Sequence, residues 1–129
     1  MRIAIVDDLV NERALLRNRL EQALNGRSVQ TDICEYANGE AFIQAAEKQR
    51  FSAAFLDIYM PGANGIDTAR ALRAFDPDCL LIFTTTSTDH ALEGFQVRAM
   101  HYLVKPFTQK DIDSLTDEML ARIPQPDKY

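Results

Sequence analysis

Basic residues are in short supply in this chain of 129 amino acids: 14 Lys and Arg stand against 19 Asp and Glu, a formal net charge of −5. No Lys/Arg run offsets the carboxylates, which excludes unaided gripping of nucleic acid or of an anionic membrane. Long apolar runs are also missing. The opening MRIAIVDD is broken by two aspartates too soon for a signal peptide or a membrane span, so a cytoplasmic location is expected. The two cysteines, Cys34 and Cys79, show neither CxxC nor metal-ligand spacing and read as small core residues rather than a disulfide. His90 and His101 likewise lack ligand spacing, and surface or structural roles are expected for both. No internal repeat or low-complexity segment occurs.

The remaining composition, 47% hydrophobic and 26% charged, suits one well-buried core. Arg2 to Val6 is a β-branched apolar run that stops at Asp7 and Asp8, a buried strand ending in charge. Leu16, Leu20 and Leu24 then recur every fourth residue between Asn11 and Leu24, with Asn25-Gly26 as a helix stop. Val29 to Tyr36 alternates like a half-exposed strand near an edge, and Ala41, Phe42, Ala45 and Ala46 form a second helical stripe. Ala53 to Leu56 is an apolar strand ending in Asp57. Pro61-Gly62 and Asn64-Gly65 flank a loop that needs special backbone angles, and Ile66, Ala69 and Leu72 start a third helix. Leu80 to Phe83 runs into Thr84, Thr85 and Thr86, a short helix follows around Ala91, Leu92 and Phe95, and Tyr102 to Val104 is a strand ending at Lys105-Pro106. Thr108 with Asp111 predicts a capping box for a last helix faced by Ile112, Leu115, Met119 and Ile123 and ended by Pro124. Phe95 is expected in the core and Arg98 in solvent.

Five strands, each followed by a helix, predict an α/β fold: a three-layer, doubly wound, five-stranded parallel sheet. In the flavodoxin-like order 2-1-3-4-5, ligands bind beyond the carboxyl ends of strands one and three, where Asp7, Asp8 and Asp57 lie. Like charges about 4 Å apart repel by roughly 4 kcal/mol at an effective dielectric near 20, so three carboxylates in one cleft require a cation. Oxygen-only donors select a hard ion, and a cleft also open to phosphate and water suits Mg²⁺. Lys105 and the threonines at neighbouring strand ends add donors for a phosphoryl group, and Asp57 is the candidate nucleophile for an aspartyl phosphate. The plain alternative is that the acidic residues merely cap strand ends in solvent.

Asp7-Asp8, Asp57-Ile-Tyr-Met-Pro-Gly with Gly65, Thr85 and Lys105-Pro106-Phe107 resemble the receiver domain of two-component response regulators, over Arg2 to about Ile123. The resemblance implies a CheY-like (βα)5 fold and a domain over residues 1–123. It implies Asp57 as phosphoacceptor, Asp7 and Asp8 with the Tyr59 backbone carbonyl around Mg²⁺, and Lys105 as the phosphate-binding lysine. It further implies Thr85 as the switch hydroxyl, Tyr102 as the switch aromatic, and a cis Lys105–Pro106 bond. A sensor histidine kinase as phosphodonor and a homodimer formed on phosphorylation belong to the same expectation, with no catalysis beyond the domain's own phosphorylation and dephosphorylation. The stretch from Thr85 to Phe107 looks like receivers joined to LytTR-type DNA-binding domains, with 124–129 as the start of a linker. Two positions depart from the pattern: Leu9 stands where Glu is usual, and Thr86 where a small residue is usual. A phosphatase with an aspartate nucleophile would carry a second acid at position 59, where this chain has Tyr59. A flavin-binding module would need a phosphate-cradling loop where Asp7 and Asp8 stand.

Overall fold

The computed structural model describes residues 1–87, 89 and 91–123. Ten elements alternate along the chain: β1 (Arg2–Val6), α1 (Val10–Leu24), β2 (Asp32–Tyr36), α2 (Gly39–Lys48), β3 (Ala53–Asp57), α3 (Gly65–Arg73), β4 (Leu80–Thr85), α4 (Ala91–Gln96), β5 (His101–Val104) and α5 (Gln109–Arg122). The strands form one sheet in the order β2-β1-β3-β4-β5, every neighbouring pair parallel. This is the expected doubly wound architecture. His90, Pro124, Pro126 and the proposed linker at 124–129 lie outside the described residues.

Two-residue alternation explains the three layers. In β1, Ile3 and Ile5 join Leu16, Leu20, Ile112, Leu115 and Met119 beneath α1 and α5, while Ala4 and Val6 join Phe42, Ile66 and Leu72 beneath α2 and α3. The same split runs through β3, where Phe55 faces the first cluster and Leu56 the second. All five β3 residues are buried, as expected of a central strand covered on both faces. The capping box expected at Thr108 and Asp111 is present and reciprocal, and Asn38 and Asn64 also cap their helices, accepting from the amides of Ala41 and Asp67.

Two expectations are corrected. The strand predicted from Val29 begins only at Asp32, because Arg2, the first residue of β1, pairs with Asp32 and leaves 29–31 without a partner strand. Phe95, expected in the core, is 81% exposed. On the six-residue α4, buried Gly94 meets the Tyr102 ring and Val97 beyond the helix enters the core, so Phe95, a 100° step around the helix from Gly94, faces out. The cysteines are both free; Cys79 is buried and Cys34 half-buried.

Candidate functional site

Parallel pairing brings the acidic residues together. Val6 is level with Leu56 in the β1–β3 ladder, so the next residues, Asp7 and Asp57, emerge side by side at the carboxyl edge although fifty positions separate them. Oxygens of Asp7, Asp8 and Asp57 all lie within 4.8 Å of one another. Asp7 and Asp57 are 4% and 5% exposed, which rules out the reading of solvated strand caps for these two. Asp8 is half-buried.

Lys105 reaches this cluster from two strands away. Its amide donates to the Thr85 carbonyl at 2.7 Å, extending the β4–β5 ladder past Val104, and the Lys105–Pro106 bond that follows is cis. From there its ammonium crosses the edge of β4 and stands 3.2 Å from Asp7 Oδ2 and 3.6 Å from Asp57 Oδ1. A third partner, Glu12 Oε1, lies 3.1 Å away.

Burial is the largest influence on Asp57, followed by the charge of Asp7; with Asp8 they outweigh Lys105 and push the carboxyl up to about 6. Burial alone would lower the Lys105 ammonium, but Asp57, Asp7 and hydrogen bonds to Glu12 and Asp7 raise it, so the lysine stays positive at neutral pH. One ammonium among four carboxylates leaves the cleft short of positive charge. The donor set fits a hard divalent cation: it is all oxygen, and the cluster contains neither His nor Cys among the described residues.

The surrounding loop is built to hold Asp57 in place. The Ile58 amide donates to the Thr84 carbonyl at 3.1 Å and the Gly65 amide to the Ile58 carbonyl at 3.0 Å. A Cβ on Gly65 would fall 2.9 Å from the Asp57 carbonyl carbon and closer still to its oxygen, so no larger residue fits without moving the strand end. Gly62, by contrast, needs its glycine for a φ of +77°. Tyr59, two residues beyond Asp57, is 49% exposed.

Thr85 is fully buried, and its hydroxyl accepts from the Ser87 amide at 3.1 Å. Tyr102 is half-buried, its ring 5.5 Å from that of Phe83 and against Gly94 of α4. The side chain of Thr86 is exposed, as is that of Leu9.

Sequence reasoning missed Glu12 and Arg13. Arg13 Nη1 donates to the Asp7 carbonyl at 2.7 Å, and Arg13 and Arg17 both pair with Glu35 of β2, at 3.3 and 2.9 Å. Their signal was available: a helix that follows directly on a strand ending in Asp7-Asp8 must set its first turn beside the same cleft.

Comparison with known proteins agrees with this geometry. Residues 3–117 match the response regulator receiver domain. The sensory transduction protein LytT of Bacillus subtilis is 32% identical over 112 residues, covering 87% of this chain and 45% of that protein. The transcriptional regulatory protein LytR of Staphylococcus aureus is 28% identical over 121 residues, covering 94% of this chain and 48% of that protein. The chain thus spans less than half the length of these two relatives. Among solved structures, the response regulatory domain of protein mrkE from Klebsiella pneumoniae superposes with a TM-score of 0.79 at 25% identity, covering 94% of this chain and 96% of that one. A doubly wound sheet with an acidic cleft at its switch point, matched from the first strand into the last helix, makes this chain a member of the response regulator receiver domain family, related to the LytT and LytR regulators of two-component systems.

Proposed function

We propose that Asp57 is the phosphoacceptor of this receiver and that its modification is read out through Thr85, Tyr102 and the face formed by α4, β5 and α5. The observation that carries the proposal is the Asp57 carboxylate itself, 5% exposed, clustered with Asp7 and Asp8 and 3.6 Å from the Lys105 ammonium. A carboxylate oxygen of Asp57 attacks phosphorus, forming the acyl phosphate as the bond to the donor breaks and the leaving group keeps its electron pair. The donor is a phosphohistidine of a sensor kinase, whose imidazole departs.

Asp7, Asp8, Asp57 and the Tyr59 carbonyl would hold Mg²⁺, which would supply positive charge to the transferring oxygens. Lys105 supplies a positive charge beside Asp7 and Asp57, and the Thr85 hydroxyl is the donor that turns toward the new oxyanion. Displacement of Thr85 leaves a space against which Tyr102 repacks, and that rearrangement changes the outer face of the domain. Leu92, Phe95 and Val104 are 68%, 81% and 44% exposed there, a surface suited to a homodimer formed on phosphorylation. Residues 1–123 form the receiver unit; 124–129 begin a linker to an effector, in keeping with the kinship to LytT and LytR a LytTR-type DNA-binding domain. No helix among the described residues is long and apolar enough to cross a membrane, and a cytoplasmic site of action suits a kinase partner and a DNA target.

The test is incubation with Mg²⁺ and acetyl phosphate followed by intact mass. Wild type gains one phosphoryl group, and neither Asp57→Asn nor wild type in EDTA does. Labelling of Asp57→Asn to the wild-type extent would overturn the assignment.

A further inference from the structure

The Lys105 ammonium is shared unequally. Its shortest contact, 3.1 Å, is to Glu12 Oε1, its next, 3.2 Å, to Asp7 Oδ2, and its longest, 3.6 Å, to Asp57 Oδ1. An ammonium has three protons to donate, and three carboxylates compete for it, Glu12 and Asp7 within hydrogen-bond distance and Asp57 just beyond. Glu12 is not placed there by a loose loop. It is the third residue of α1, whose first turn is pinned by the Arg13 bond to the Asp7 carbonyl and the Arg13 pair with Glu35, with Arg17 pairing with the same Glu35 one turn further on. Its side chain nevertheless remains 35% exposed, against 6% and 7% for those of Asp7 and Asp57, so it is the partner that can swing out to water at least cost.

We infer that Glu12 is a positioning residue acting through Lys105: it holds the ammonium toward α1 in the resting domain and competes for it with an oxyanion on Asp57. The inference rests on Asp57 being the phosphoacceptor. Engagement of the phosphoryl oxygens by Lys105 then requires the Glu12 pair to break, and Glu12 sets how readily the modified state is occupied. Because the pair is partly exposed, the competition is modest, about threefold to tenfold in affinity for an oxyanion at Asp57.

Beryllofluoride, a stable mimic of the phosphoryl group on a carboxylate, reads this directly. Its affinity is measured by calorimetry on the whole chain at Mg²⁺ concentrations shown to saturate each variant. Glu12→Gln should bind it three to ten times more tightly than wild type, Glu12→Ala should shift in the same direction, and urea midpoints should confirm that both fold normally. In a Lys105→Ala background, Glu12→Gln should change nothing. That null result is what separates positioning of the lysine from a general loss of negative charge, which would tighten binding equally in both backgrounds and overturn the inference. Unchanged or weaker binding by Glu12→Gln alone would overturn it as well. If wild type fails to bind beryllofluoride, or Asp57→Asn binds it equally well, the phosphoacceptor assignment falls and this inference with it. Binding that is lost in Asp57→Asn but insensitive to Glu12→Gln removes only the role of Glu12.

Discussion

Asp57 shows how a single residue is kept in a state that costs stability until a ligand arrives. Its carboxyl is raised from 3.8 to about 6 by burial and by Asp7, so between those two values the folded chain binds a proton that the unfolded chain does not. Stability therefore falls as pH rises through that window, and the penalty is complete about one pH unit above the folded value. The two pKa values together correspond to a penalty on the order of 2–3 kcal/mol at neutral pH. Asp57→Asn removes the charge while keeping the shape, and is expected to raise urea stability by that order at pH 7.5 in EDTA. Near pH 4 the two proteins should unfold at similar urea concentrations, and at pH 7.5 Mg²⁺ should stabilise wild type more than the variant. Equal stability of both proteins at pH 7.5 in EDTA would show that the carboxylate is not penalised in its cleft.

At the scale of elements, the contact between α4 and β5 depends on a glycine. A Cβ on Gly94 would lie 2.6 Å from Tyr102 Cε2 and 2.8 Å from Cζ, so α4 approaches β5 this closely only because position 94 has no side chain. Gly94→Ala must displace either the helix or the ring. Overpacking of this kind is expected to cost about 1–3 kcal/mol in a urea titration. In a Tyr102→Ala background the same substitution should cost much less, because the clashing atoms are gone. An equal cost in both backgrounds would mean that Tyr102 does not occupy the position opposite Gly94 in solution. The pairing also bears on signalling, since the aromatic proposed to turn on activation is packed against the helix proposed to respond. Arg73 of α3 adds a second tie to this region, donating to the carbonyls of Val97 and Arg98 just past α4 at 2.7 and 3.2 Å.

For the molecule as a whole, the proposed function asks how a charge on one edge would become an interaction on one face. The exposed Leu92 and Phe95 lie on α4, away from the carboxylates, and substitution of either to Asp should leave the monomer within about 0.5 kcal/mol of wild-type stability because neither is core. With Mg²⁺ and beryllofluoride, wild type is expected to sediment as a dimer and the two variants as monomers, with ligand affinity of the isolated monomer unchanged. Dimers of Phe95→Asp as stable as those of wild type would move the interface elsewhere. Lys105→Ala provides the complementary case: Asp57 should still be labelled while dimerisation no longer follows, since the proposed link from phosphoryl group to β5 would be cut.

Much of this was readable from residue order. Apolar runs that stop at Asp7-Asp8, Asp57 and Lys105, with helical stripes between them, specify the alternation of strand and helix, and the alternation requires the parallel sheet and its reactive edge. The capping box at Thr108 and Asp111 was equally local, because each partner lies within one turn of the other. The pairing of Glu12 with Lys105, the exposure of Phe95 and the true start of β2 were not readable, for a shared reason: each depends on what lies opposite in space rather than on its neighbours in the chain. Glu12 acquires its role from a lysine 93 positions away, Phe95 is turned out by the fit of Gly94 against Tyr102, and β2 begins where β1 offers a partner. Side-chain chemistry and periodicity are properties of the chain, whereas which charges share a cleft is decided only when strand register sets the distances between them.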